Sequence, residues 1–403
     1  MGLNINMKKV FTSEYFQKLI LFMFIVLSSL FLREAKIAET GMTDYCYVPP
    51  FAGNIVKPNV LMVMDFSGSM QFPTYVPCNF DTYTGQKVAL CGTSSSTYNT
   101  NTTYSGYFDP NKCYSYSSNS FQEAICDCSN KIGTSSCISG NLLNWISTTR
   151  IDIARKVLTG GRTSQSGGNT FLDSEGATYT IRDNNLKCQF TISATQTDNR
   201  QLTISNYNDT CPLGNNAVSN ARLRIRPSDP SSIKGIIHNF CDISDLNGQI
   251  NEKCQIIMEF MVFASDGRYG EIRVGKSATI ANLINAINNE LPYLGTPTGE
   301  ALWEAYDYYK QRNDHNYEAN SAHINRGNGN QDPYYDGSGA NSKPVPCRKG
   351  FILLISDGAW NGNVDPVVPA RIMATTDLRD DLPGTQNVIT YAVYAFGDHD
   401  SST

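Results

Sequence analysis

The chain has 403 residues, 40% hydrophobic and 17% charged, and 32 Lys and Arg against 37 Asp and Glu give a formal net charge of −5. That length suits one large domain with insertions or a few smaller ones, and it can bury a core without cross-links. The acidic balance excludes a nucleic-acid footprint, the apolar content excludes a disordered chain, and a lone membrane-grade run excludes a polytopic membrane protein.

That run comes first. Leu19 to Leu32 follows Lys8, Lys9 and Lys18. It is short for a membrane span but has the size of a signal-peptide core, so residues 1–38 read as an export signal. Cleavage after Ala38 puts Lys36 where a small residue is preferred, which leaves an uncleaved anchor as the alternative. Without this segment 27 basic and 35 acidic residues remain. All 12 cysteines follow it, from Cys46 to Cys347. An even number behind an export signal reads as a disulfide framework in an oxidising compartment. A metal cluster is disfavoured, because no paired CxxC occurs and Cys126 and Cys128 stand only two apart.

Three apolar runs have the length and β-branching of buried parallel strands: Asn59–Asp65, Phe351–Asp357 and Val388–Phe396. A fourth, Ile256–Ala264, is followed by an Asp-Gly turn and the return Glu271–Val274, which predicts a hairpin at a sheet edge. Between them run helical stripes. Leu142, Ile146, Thr149, Ile153 and Val157 predict one helix ended by Gly160-Gly161. Ile280, Leu283, Ile284, Ile287 and Leu291 form a second stripe. A third helix spans Gly299–Gln311 with Ala301, Leu302, Ala305 and Tyr309 inward. Strands alternating with helices predict an α/β fold, doubly wound around a mainly parallel sheet. Residues 39–403 therefore read as one such domain with insertions at about 71–140, 162–232 and 312–347. The first is rich in Ser, Thr, Asn and Gly, the second reads as short polar strands such as Ala177–Ile181 and Gln201–Ile204, and the third lacks periodicity.

The strand ending at Asp65 runs into Asp65-Phe66-Ser67-Gly68-Ser69, and Phe351–Ile355 runs into Ser356-Asp357-Gly358. Carboxylates and hydroxyls at the carboxyl ends of strands supply hard oxygen ligands for a divalent cation such as Mg²⁺. The pattern Asp65-x-Ser67-x-Ser69 with a later Thr and Asp is similar to the metal-ion-dependent adhesion site of von Willebrand factor A domains. The segment Leu294-Gly295-Thr296-Pro297-Thr298-Gly299 resembles that family's threonine loop, which makes Thr296 the ligand and Thr298 the fallback. The resemblance implies a metal set of Asp65, Ser67, Ser69, Thr296 and Asp357. It would hold Mg²⁺, with Mn²⁺ and Ca²⁺ as substitutes, and one position would stay open for a partner's carboxylate.

Further segments narrow the resemblance: Tyr45-Cys46-Tyr47 before Lys57-Pro58-Asn59, Gly106-Tyr107-Phe108-Asp109-Pro110, Cys113-Tyr114-Ser115-Tyr116, Gly140–Trp145, and Arg150–Gly161. With Ser356–Gly362 and Val393–Gly397 they resemble the N-terminal part of PilY-like type IV pilus tip proteins. That family implies an exported adhesion and pilus-biogenesis protein of the periplasm, outer surface and pilus tip. Its implied partners are minor pilins or a host or surface protein presenting a carboxylate, with no nucleic acid and no membrane contact beyond the signal segment. Members normally continue into a C-terminal β-propeller, absent from this sequence, so the propeller's properties are not transferred. No enzyme activity is expected. The alternatives are a structural pilus-assembly factor whose metal only stabilises the fold, and an A-domain component of a hydrolase or chelatase-type assembly.

Other candidates are weaker. His238, His315, His323 and His399 form no HExxH or triad pattern. Asn325–Asp336 holds Asn328, Asn330, Asp332 and Asp336 among glycines but lacks EF-hand spacing, so a solvated loop is expected. The seven tyrosines between Tyr75 and Tyr116 serve either as an adhesive face or as packing for a stapled insertion. Trp145 and Trp303 are expected in the core, and Trp360 beside the site.

Overall fold

The apolar run ahead of Asp65 is the middle strand of a five-stranded sheet. The structure, a computed structural model, describes residues 56–79, 89–91, 97–194, 199–215, 218–263, 270–291, 295–311, 332–337, 339–358 and 360–395. The export signal, Cys46, His315, His323 and His399 lie outside them. The strands are β1 (Asn59–Met64), β2 (Ile257–Val262), β3 (Glu271–Val274), β4 (Gly350–Ser356) and β5 (Val388–Tyr394). Their order is β3-β2-β1-β4-β5, with β2, β1, β4 and β5 mutually parallel. β3 returns antiparallel beside β2 as the edge hairpin that the Asp-Gly turn predicts.

Because side chains alternate along a strand, a buried apolar run needs cover on both faces. β5, expected to be buried, departs from this as an edge strand in which only Val388 is buried and Ile389, Tyr391, Val393 and Tyr394 are exposed. Met62, Met64, Met258, Phe260 and Val262 face one layer with Ile151, Leu158, Ile280, Leu283 and Ile287. Leu61, Val63, Met261, Ile352 and Leu354 face the other with Ala301, Leu302, Ala305, Tyr308 and Met373. The helices supplying these residues are α2 (Arg150–Thr159) and α3 (Ile280–Asn289) on the first face, and α4 (Thr298–Lys310) and α5 (Val367–Thr375) on the second. Each fully buried Leu, Ile, Met or Phe contributes roughly 1.5–3 kcal/mol. The two layers therefore contribute most of what holds the sheet.

The long helix expected over Leu142–Val157 is two helices. The first, α1, covers Gly140–Ser147 and ends where Thr148 and Thr149 turn extended. The Thr149 side chain then accepts from Asp152 N and caps α2, and Gly160 closes α2 in the left-handed region at φ 93°. Backbone bonds Thr74 N to Thr148 O and Arg150 N to Phe72 O hold the break open. The restart rotates the buried face onto Ile151, Ala154 and Leu158, so Val157 from the predicted stripe is exposed. Leu291, last of the second stripe, lies past the end of α3 and is also exposed.

The segments 71–140 and 162–232 do not remain separate decorations. Strands Cys113–Ser117 and Ser120–Ala124 share a seven-stranded sheet with Asn169–Asp173 and Arg224–Ile225. Tyr179–Asp183, Cys188–Ala194 and Arg200–Asn206 build a six-stranded sheet with Ala89–Cys91. Together with α1 they enclose a second core containing Tyr98, Tyr104, Phe121, Trp145, Tyr179, Phe190 and Ile204. Trp145 stands 5.4 Å from the Tyr98 ring and 6.2 Å from Phe190. Tyr98, Tyr104 and Tyr114 are buried here and Tyr75, Tyr107 and Tyr116 pack against them, so these tyrosines are packing. Disulfides Cys113–Cys128, Cys126–Cys137 and Cys188–Cys211 cross this body, and Cys241–Cys254 closes the turn before β2.

In the third segment Asp332 is not solvated. It accepts two hydrogen bonds from the buried Arg379 guanidinium, at 2.6 and 2.8 Å. Asp336 accepts from Arg348 at 2.7 Å. The calcium candidate among these residues thus has its two carboxylates turned onto arginines.

Candidate functional site

The chain leaves β1 toward β2 on one side and returns through β4 on the other, so the order reverses between β1 and β4. In open α/β sheets ligands sit at the carboxyl ends of strands at that point. The register pairs Met64 with Ile355, and Asp65 N donates to Ile355 O at 2.9 Å. Asp65 thereby lies beside Ser356, with Asp357 next along.

A short turn, Gly68–Gln71, follows β1. Phe66 and Met70 are fully buried, and the Phe66 ring meets Phe260 edge-on at 6.0 Å. Pinning these two residues inward leaves Ser67 and Ser69 to face the strand ends. Asp65 Oδ1 accepts from Ser67 N at 2.7 Å, and Oδ2 accepts from Ser356 Oγ at 2.7 Å. The hydroxyls of Ser67 and Ser69 are 2.9 Å apart, and Ser69 Oγ donates to Asp357 Oδ1 at 2.8 Å. Two carboxylates and three hydroxyls form one hydrogen-bonded chain.

Burial raises the Asp65 carboxyl to about 6, and the charge of Asp357 pushes in the same direction. Two buried carboxylates in such proximity call for a positive charge. The donor set is entirely oxygen, which fits a hard divalent cation such as Mg²⁺. One positive charge is already present, and the sequence reading missed it. Arg150 Nη1 donates to Asp357 Oδ2 at 2.9 Å.

Thr296 is tied to the same end of the sheet through its backbone. Its N–H donates to Asn361 Oδ1 at 2.6 Å, and its carbonyl accepts from Asn361 N at 3.1 Å. Glu300 in the first turn of α4 accepts from Asn363 N at 2.5 Å, a second link between the threonine loop and the chain after Asp357. Gly299 permits the approach, since a Cβ there would stand 2.0 Å from the Val364 carbonyl oxygen. Among the described residues no hydrogen bond joins Thr296 to Asp65, Ser67, Ser69 or Asp357, so the structure brings together four of the five candidate ligands directly. Thr298 is buried with its hydroxyl directed at Thr296 O, 3.4 Å away. Trp360 is exposed beyond Asp357, Trp145 is in the second core as expected, and Trp303 is half-buried against Tyr306.

The structure also gathers a set that sequence spacing argued against. The sulfurs of Cys113, Cys126, Cys128 and Cys137 lie within 4.8 Å of one another. They converge because the strands of Cys113 and Cys137 pair while the loop carrying Cys126 and Cys128 folds back over them, which spacing does not reveal. They are paired as two disulfides.

Residues 95–231 match the family model of the PilY1 homolog small alpha/beta domain. The match covers less than half of the chain and coincides with the second core, not with the five-stranded sheet. It supports the PilY-like resemblance, because Gly106–Pro110, Cys113–Tyr116, Gly140–Trp145 and Arg150–Gly161 all fall within it. No curated protein and no solved structure matches the chain. Among the described residues no helix is long and apolar enough to cross a membrane.

Proposed function

We propose that the protein is an exported, cation-dependent protein-binding module of a type IV pilus system. On this reading the five-stranded sheet is a von Willebrand factor A-type domain, and the PilY-like small domain is inserted between its first two strands. The observation that carries it is the continuous chain Ser356–Asp65–Ser67–Ser69–Asp357 at the reversal between β1 and β4.

Asp65, Ser67, Ser69 and Asp357 would hold the cation, with Thr296 joining from the α4 loop. The bound cation supplies a coordination position that accepts a carboxylate from the partner, a minor pilin or a surface protein. The chain's own contribution is positional. Phe66 and Met70 hold the serine turn, the β1–β4 register sets the spacing of the carboxylates, and Asn361 fixes the threonine loop. The serine hydroxyls and both carboxylates are joined in one oxygen-donor set suited to a cation, so binding rather than catalysis is the proposed activity.

Calorimetric titration of Mg²⁺ into the wild-type protein and Asp65→Ala tests the reading. Binding is expected for the first and not for the second, with both folded by circular dichroism. Equal affinity in both sinks the site. Partner binding that survives EDTA while Mg²⁺ binding is lost leaves the cation a stabilising role only.

A further inference from the structure

The Arg150 guanidinium is a fixed positive charge set against one of the proposed ligands. Its ion pair with Asp357 is 2.9 Å long, with the Asp357 side chain fully buried and Arg150 only 13% exposed. Ser69 takes the other oxygen of Asp357. The guanidinium lies 5.9 Å from the Phe72 ring, and Arg150 Nε is buried without a hydrogen-bond partner. Asp357 is thus the only described side chain that holds this guanidinium by a hydrogen bond. The backbone beneath it is held firmly, because Arg150 N bonds Phe72 O and Thr149 Oγ1 bonds Glu175 O at 2.6 Å.

We propose that Arg150 competes with the divalent cation for Asp357, so that filling the site requires the guanidinium to withdraw, and that Arg150 thereby sets the site's cation affinity. This inference rests on the cation reading above. A guanidinium does not lose its proton in proteins, so repulsion from a bound divalent ion cannot be relieved by deprotonation. Both charges draw on one carboxylate in a buried setting, where Coulomb forces are weakly screened. Arg150 opens α2, whose Arg155 reaches Glu175 in the small domain.

Three proteins test this: wild type, Arg150→Gln and Asp65→Ala, each titrated with Mg²⁺ by calorimetry. A fixed positive charge 2.9 Å from the carboxylate repels a cation approaching the same oxygens. Arg150→Gln is therefore expected to bind Mg²⁺ about tenfold more tightly or better. Unchanged or weaker affinity in a folded Arg150→Gln protein overturns the competition while leaving the cation site in place. Absence of Mg²⁺ binding in both wild type and Arg150→Gln removes the cation reading and this inference with it.

A second readout needs no substitution at Arg150. Phenylglyoxal labelling read by mass spectrometry should show Arg150 becoming more reactive when Mg²⁺ is added to wild type. The labelling of Asp65→Ala should not respond to Mg²⁺. Identical Arg150 labelling of a Mg²⁺-saturated and a Mg²⁺-depleted wild-type protein overturns the withdrawal.

Discussion

Arg155 donates to Glu175 at 2.7 Å, and this buried pair joins a helix of the central sheet's layer to the inserted small domain. Arg155 also donates to Ile287 O at 3.0 Å and Glu290 O at 2.8 Å, so one side chain ties α2, the end of α3 and the insertion. Its guanidinium lies 5.7 Å from the Phe66 ring, directly behind the serine turn. Removing one partner of a buried pair strands the other charge, at a cost of about 3–5 kcal/mol. Arg155→Met should lower the urea-unfolding free energy by that amount. A loss below about 1 kcal/mol would mean that Arg162, 3.3 Å from the same carboxylate, suffices alone.

Glu304 on α4 predicts a pH dependence. Burial first, and the charge of Asp307 second, raise its carboxyl to about 8. An unfolded Glu titrates near ~4.3. Because the folded value is the higher one, the stabilising contribution is complete below about pH 4 and is lost as pH rises through about 8. Glu304→Gln cannot ionise and should flatten that decline by on the order of 2 kcal/mol, allowing for nearby solvent. Thermal melts of both proteins between pH 5 and pH 8 check this. Parallel curves contradict a neutral Glu304.

The disulfides predict an order of unfolding. Of the four bridges described at both cysteines, three staple the small domain and one closes the turn before β2, while Cys347, also disulfide-bonded, stands just ahead of β4. Reduction should loosen the small domain first, with Trp145 fluorescence changing before the sheet's hydrogen-exchange protection falls. Removing a native bridge from a small domain typically costs about 2–5 kcal/mol. Simultaneous loss of both signals would show one cooperative unit.

Thr296 and Thr298 should separate in function. Thr298 has its hydroxyl committed to Thr296 O, whereas Thr296 is fixed through its backbone. On the proposed mechanism Thr296→Ala weakens partner binding more than Mg²⁺ binding, and Thr298→Ser changes neither greatly. Surface plasmon resonance for the partner alongside Mg²⁺ calorimetry decides it. Equal losses in Thr296→Ala would replace a ligand-gated site by a static one.

The centre of the five-stranded sheet is legible in the sequence because β1 and β2 are buried on both faces and β4 nearly so, so Val60–Met64 and Ile352–Ile355 stand out as unbroken apolar runs. The equally apolar run of β5 is instead an edge strand with Ile389, Tyr391, Val393 and Tyr394 exposed. The adjacency of Asp65 and Asp357 follows once both are recognised as strand ends. The break at Thr148 and Thr149 is not legible, because the apolar period continues through it. What stops the helix is pairing with residues 72–74, a contact made far along the chain. The small domain is obscured for a related reason. Its strands are short and half polar, and partners such as Phe121 and Ile225 meet only in the folded sheet. Arg150 reads as an ordinary helix-start residue until Asp357 is placed 2.9 Å away.

Ser356 and Asp65, hydrogen-bonded to each other, are 291 positions apart in the chain. During synthesis β1 emerges early and must wait for β4, while the whole small domain can close on itself in between. Such distant pairings form late in folding, after local structure is in place. A chain interrupted between the end of the small domain and Gly350 would carry that disulfide-bonded domain complete, with half of the proposed cation site. Cation binding would then report the integrity of nearly the entire polypeptide, a check that reading the small domain alone could not provide.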